Sequence, residues 1–149
     1  SPIYRDLVLA RYRERSEALP GALSVVTALR LSGQRLAVAS SSIRPWVEAC
    51  LDKIGLGSAF ELLITGSEIE NGKPDPEIYL LAAERLGVDP KACLAFEDAP
   101  AGIESARAAG VTVWAVRTEY TRGLALPGPD REFESLADVD ITDILGVAA

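Results

Sequence analysis

Short apolar runs alternate along this chain with longer stretches whose apolar residues recur every three or four positions. The runs RLAVA (35–39), ELLIT (61–65), ACLAF (92–96) and VTVWAV (111–116) lack the polar–apolar alternation of a half-exposed strand. They predict strands covered on both faces. Between them, residues 22–31, 45–54, 78–86 and 99–109 carry helical spacing, and Gly33, Gly55 and Gly87 stop the first three. Residues 2–17 are rich in Arg and Glu, with Ile3, Leu7 and Ala10 in helical register, and predict an amphipathic helix ended by Leu19-Pro20-Gly21. Asp75-Pro76 predicts an N-cap acid ahead of a helix-opening proline. Leu126-Pro127-Gly128-Pro129 marks a surface loop, and residues 133–145 predict one short terminal helix.

The resulting order, α-α-β-α-β-α-β-α-β, predicts an α/β fold: a three-layer, Rossmann-like parallel sheet with helices on both faces. Such sheets bind ligands beyond the carboxyl ends of their strands. The residues that follow each strand are therefore the place to look for chemistry.

Composition narrows that chemistry. At 149 residues the chain fits one domain with a substantial core. Its net charge of −7 and the absence of a Lys/Arg cluster argue against nucleic-acid or anionic-membrane partners. No apolar stretch is long enough to span a bilayer. The chain has no His, which excludes His-dependent triads and His-ligated zinc. Cys50 and Cys93 lack metal spacing and read as packing thiols, compatible with a reducing, cytoplasmic setting.

Three strand ends carry candidates. Ser40 follows RLAVA; its hydroxyl and the Ser41 and Ser42 amides suit an anionic oxygen, although a serine there also suits a helix cap. Lys73 follows ELLIT after a loop and sits between Gly72 and Pro74, placed either as a point charge for phosphate or as a solvated loop lysine. Glu97 and Asp98 follow ACLAF. Adjacent carboxylates are hard oxygen ligands suited to Mg²⁺, and a bound cation would offset their repulsion; Asp98 also suits a cap of the next helix. A hydroxyl, a cation and an acid pair on successive strand ends are together the components of phosphoryl-group handling.

The stretches LPGALSVVTALRLSGQRLAVASSS, TGSEIENGKPDPEIYLLAAERLGVDP and CLAFEDAPAGIESARAAGVTVWAV resemble, in the same order, the haloacid dehalogenase superfamily, and most closely its beta-phosphoglucomutase-like phosphatase branch. The resemblance implies that Ser40 is a phosphate ligand with the Ser41 amide beside it. It implies that Lys73 neutralises the nucleophile and the transferring phosphoryl group, and that Glu97 and Asp98 hold Mg²⁺. The activity implied is a Mg²⁺-dependent phosphatase or phosphomutase acting on a small phosphorylated metabolite such as a phosphosugar, through an aspartyl-phosphate.

The family's first motif, an Asp-x-Asp at the end of an N-terminal strand, has no counterpart before Ser40. The triplet Asp138-Val139-Asp140 follows Glu134-Ser135-Leu136-Ala137 rather than an apolar strand. The expectation is therefore an N-terminally truncated core at 19–149. It would lack the first strand and most of the helical cap, with residues 1–18 as the last cap helix, and it would be inactive alone. It would pair with the missing N-terminal segment or self-associate. The alternative is a non-catalytic receiver-like or interaction domain of the same fold, although in receivers the acid pair comes first rather than last.

Overall fold

The computed structural model describes residues 4–7 and 21–147. Among the described residues, six strands form one parallel sheet in the order β3-β2-β1-β4-β5-β6. They are β1 Tyr4–Leu7, β2 Arg35–Ala39, β3 Leu62–Ile64, β4 Cys93–Glu97, β5 Thr112–Val116 and β6 Arg131–Phe133. The α-helices of the described residues are α1 Ala22–Leu31, α2 Arg44–Lys53, α3 Glu77–Leu86, α4 Pro100–Ala108 and α5 Ile141–Val147.

The period of two along each strand divides the core. Leu36, Val38, Leu94, Phe96, Trp114 and Val116 pack with α1, α2 and α5 on one face. Ala37, Ala39, Cys93, Ala95, Val113 and Ala115 pack with α3 and α4 on the other. Runs without polar alternation thus mark strands buried on both sides, which is the three-layer α/β class expected. Cys50 and Cys93 are buried free thiols.

Two boundaries differ from expectation. Tyr4–Leu7, expected within the helix over 2–17, is strand β1 and fills the slot between β2 and β4. An extended segment there satisfies the facing N–H and C=O groups of both neighbours, an obligation that outweighs weak helical spacing. The sheet position expected to be missing is therefore occupied, by the sequence YRDL rather than an Asp-x-Asp. The rest of that helix, and most of the cap remnant assigned to 1–18, lies outside the described residues. At the other end, the single helix expected over 133–145 is divided. Arg131–Phe133 pairs with β5, Leu136–Asp138 makes a 3₁₀ turn, and α5 follows. Asp140 explains the division, because its Oδ1 accepts from both the backbone N–H and the hydroxyl of Thr142 at 2.9 Å, fixing the start of α5. These bonds also hold its carboxyl below the ordinary range.

A second acid pins the other edge of the sheet. Glu68 accepts from the Arg85 guanidinium at 2.6 Å, from Arg44 at 3.0 Å and from the Thr65 amide at 2.8 Å. It thereby joins the end of β3 to α2 and α3. Hydrogen bonding to Arg85 is the main cause that lowers its pKa from 4.5 to about 2.

Two outcomes follow from this packing. Trp114 is buried edge-on to Phe96 at 5.7 Å and tilted against Phe133 at 5.5 Å. Trp114→Ala should lower unfolding free energy by about 3–5 kcal/mol in urea titration, and a loss below about 1 kcal/mol would contradict that packing. For Glu68, the folded pKa lies below the unfolded one. Its stabilisation is therefore full above pH 4.5 and lost as pH falls through about 2. The stability gap between wild type and Glu68→Gln, about 1 kcal/mol, should hold steady from pH 7 to 5 and close across that window.

Candidate functional site

The site grows from strand alternation at the carboxyl edge of the sheet. Cys93, Ala95 and Glu97 share the face that meets α3 and α4, so β4 ends by carrying a carboxylate into an apolar layer. Glu97 is only 3% exposed. A buried carboxylate needs compensation, and two groups supply it. The Lys73 ammonium donates to Glu97 Oε1 at 2.5 Å, and the buried Tyr79 hydroxyl donates to the same oxygen. The Lys73 nitrogen also stands 5.1 Å from the centroid of the Tyr79 ring.

Glu97 fits there because α4 has a glycine opposite. A Cβ at Gly102 would stand 1.9 Å from Glu97 Oε2. The charge of Glu97 is thus paired with the Lys73 ammonium, and Tyr79 adds a hydrogen bond to the same oxygen. Asp98, the next residue, is half-buried at the strand edge. The N-cap of α4 is Ala99 rather than Asp98. Among the described residues, no group of three or more acids, Cys or His is gathered closely enough to hold a metal ion.

Lys73 joins two strand ends. Besides Glu97 on β4, it donates to the carbonyl of Ala39, the last residue of β2, at 3.1 Å. Its loop is fastened from both sides. The Glu77 carboxylate accepts from the Glu70 amide at 2.6 Å, Asp75 Oδ1 accepts from the Glu77 amide at 2.9 Å, and the fully buried Ser105 of α4 donates to the Asp75 carbonyl at 2.7 Å. Asp75 therefore does bind the opening turn of α3, although Pro76 holds the N-cap position.

Ser40 follows directly. It is buried, its N–H donates to the Ile64 carbonyl at 2.9 Å, and its hydroxyl oxygen accepts from the Ser42 amide at 3.2 Å. The N-cap of α2 is Ile43, so Ser40 is not a helix cap. Ser41 is exposed, and its carbonyl lies so close to Gly66 that a Cβ there would stand 2.5 Å from the oxygen. The close approach of the β2 and β3 end loops thus requires glycine at position 66.

The structure therefore brings Ser40, Lys73 and Glu97–Asp98 to one edge, on the ends of neighbouring elements. Chemically, this edge offers a hydroxyl, an anchored ammonium and a carboxylate. Sequence reasoning passed over Tyr79, Gly102 and Ser105. Tyr79 sits in an apolar helical stripe and reads as core; Gly102 and Ser105 read as small helix residues. Only the three-dimensional encounter with Glu97 and the Lys73 loop gives them roles. The Arg44 guanidinium, next to the serines, is turned away to the β3 side by Glu68 and by the Leu63 carbonyl, 2.6 Å distant.

A family model for haloacid dehalogenase-like hydrolases matches residues 2–110. YhcW of Bacillus subtilis (strain 168) is 38% identical over 136 residues, 91% of this chain and 62% of that protein. Hexitol phosphatase A of Escherichia coli (strain K12) is 41% identical over 99 residues, 66% of this chain and 45% of that protein. The structure of CbbY from Rhodobacter sphaeroides, solved in complex with phosphate and with xylulose-(1,5)bisphosphate, superposes with a TM-score of 0.76 at 31% identity, covering 81% of this chain and 55% of that one. The chain thus spans less than two thirds of the length of each of these relatives. With its parallel sheet, its edge of strand-end residues and a match over most of its length, the chain belongs to the haloacid dehalogenase-like hydrolases.

Proposed function

We propose that this chain carries the phosphate-handling portion of a Mg²⁺-dependent phosphoryl-transfer hydrolase, acting in the cytoplasm on a small phosphomonoester such as a phosphosugar. The observation that carries the proposal is the tether of Lys73 across the ends of β2 and β4, which sets a cation at Ala39 and Glu97, the residues that directly precede Ser40 and Asp98. The names of two relatives support the substrate class: one is a hexitol phosphatase, and another was solved with a bisphosphorylated sugar.

In this proposal, the Ser40 hydroxyl and the Ser41 amide donate to a phosphoryl oxygen, and Lys73 balances the charge that builds on the oxygens during transfer. The bond from phosphorus to the substrate oxygen breaks as an aspartate oxygen bonds to phosphorus, and water later cleaves the aspartyl-phosphate. Asp98 is the edge carboxylate for Mg²⁺. Glu97 serves chiefly as the buried counter-ion of Lys73, with one oxygen shared by Lys73 and Tyr79 and the other packed on Gly102. When bound, Mg²⁺ would supply positive charge to the transferring group.

In this reading the attacking aspartate is one other than Asp6. The register sets Asp6 level with Ala37 and Ala95, two residues short of Ala39 and Glu97, where the candidate groups emerge. At strand rise that is about 6–7 Å too deep. The sequence offers no carboxylate in the following Leu7, Val8, Leu9 and Ala10. The nucleophile is therefore assigned to a segment outside this chain, either an N-terminal extension or a partner.

Accordingly, the chain with Mg²⁺ should release no phosphate from glucose 1-phosphate. Release would place the nucleophile within these 149 residues and contradict the assignment. Calorimetric titration with inorganic phosphate should show saturable binding, weakened about tenfold or more in Lys73→Ala; equal binding by the variant would sink the role of Lys73. Gly102→Ala should displace Glu97, costing about 1–3 kcal/mol in stability and weakening phosphate binding without touching the ligand. Unchanged stability and affinity would show that Gly102 is not the seat of Glu97.

A further inference from the structure

We infer that Ile43 and Trp46, on the opening turn of α2, form an apolar platform that receives the organic portion of the phosphomonoester. The substrate is then a monophosphate whose carbon skeleton presents an apolar face, such as the C–H face of a sugar ring or an aromatic ring. This inference rests on the phosphate-binding role proposed for Ser40 and Lys73.

Three observations carry it. First, Ile43 is 57% exposed and Trp46 is 51% exposed, so two large apolar side chains stand on the surface close together in the chain. Both come within six residues of Ser40, where the chain leaves β2 at the edge of the candidate site.

Second, helix geometry sets Trp46 on the flank of α2 opposite Arg44. Val47, Cys50 and Leu51 bury the underside of α2 against the sheet. Arg44 marks one flank, because its guanidinium lies 2.6 Å from the Leu63 carbonyl of β3 and 3.0 Å from Glu68. Trp46 follows Arg44 by two positions, about 200° around the helix. It therefore lies on the other flank. Since β2 stands between β3 and β1, that flank faces away from β3, on the β1 side of α2.

Third, Glu68 removes the cation that would otherwise alter this surface. Arg44 pairs with Glu68 at 3.0 Å and with Glu48 at 3.5 Å, so its charge is committed on the β3 side. The turn that follows the serines thus offers the ligand an indole ring and an aliphatic side chain, with no arginine for a second phosphate. Apolar and C–H groups stack on such a ring, whereas a second phosphate dianion would be desolvated there without a partner.

The test uses inorganic phosphate and phenyl phosphate as probes on the whole chain with Mg²⁺, followed by calorimetry and by the emission of Trp46. The second indole, Trp114, is buried in the core and serves as the constant background. Wild type should bind phenyl phosphate about tenfold more tightly than inorganic phosphate, and phenyl phosphate alone should shift the emission. Trp46→Ala should abolish that preference while binding inorganic phosphate as wild type does, and Trp46→Phe should keep part of it. Equal affinity of wild type for the two probes, or an undiminished preference in Trp46→Ala, would overturn the platform while leaving the phosphate site intact. Failure of both probes to bind would remove the phosphate site itself, and the platform with it.

Discussion

The ion pair of Lys73 with Glu97 is the constraint on which the rest of the edge depends. Glu97 is buried at the end of a central strand, where an unpaired carboxylate would cost several kcal/mol, on the order of an unpaired buried charge. Lys73 relieves that cost and, through its second bond to the Ala39 carbonyl, ties β4 to β2 at the level of Ser40. The same contact therefore stabilises the sheet edge and positions the cation. The loop that carries Lys73 answers to this demand: Glu77, Asp75 and Ser105 each fasten a part of it.

Small residues make the pair possible. Alanines on the α3/α4 face of β2, β4 and β5 let the helices approach closely, and Gly102 gives the Glu97 carboxylate a seat against α4. Larger residues lie on the opposite face, where Phe96, Trp114 and Phe133 fill the layer beneath α1 and α5. The two faces thus divide the work between bulk packing and a close-set polar site. Glu68 performs an analogous task at the sheet margin, where its bonds to Arg44 and Arg85 turn the arginine away from the serine loop.

Much of this arrangement was legible in the chain. The unalternating runs at 35–39, 92–96 and 111–116 identified doubly covered strands, and the residues that follow them identified the edge with Ser40, Lys73 and Glu97–Asp98. What could not be read was the direction of side chains across layers. The pairing of Glu97 with Lys73 and Tyr79 depends on which face residue 97 takes, and strand parity reveals that only once the register is known. Residues 4–7 were misassigned for a related reason. Their helical spacing was local, whereas the vacancy between β2 and β4 that draws in a strand is a property of the whole sheet.

A double-mutant cycle on Lys73 and Glu97, measured by urea unfolding at neutral pH, tests the central claim most directly. Lys73→Met and Glu97→Gln should each destabilise the fold, the first by about 3–5 kcal/mol because it strands a buried carboxylate. The double variant should be more stable than the sum of the two losses by about 2 kcal/mol or more. Losses that simply add, within about 0.5 kcal/mol, would show that the two side chains do not depend on one another and would contradict the account.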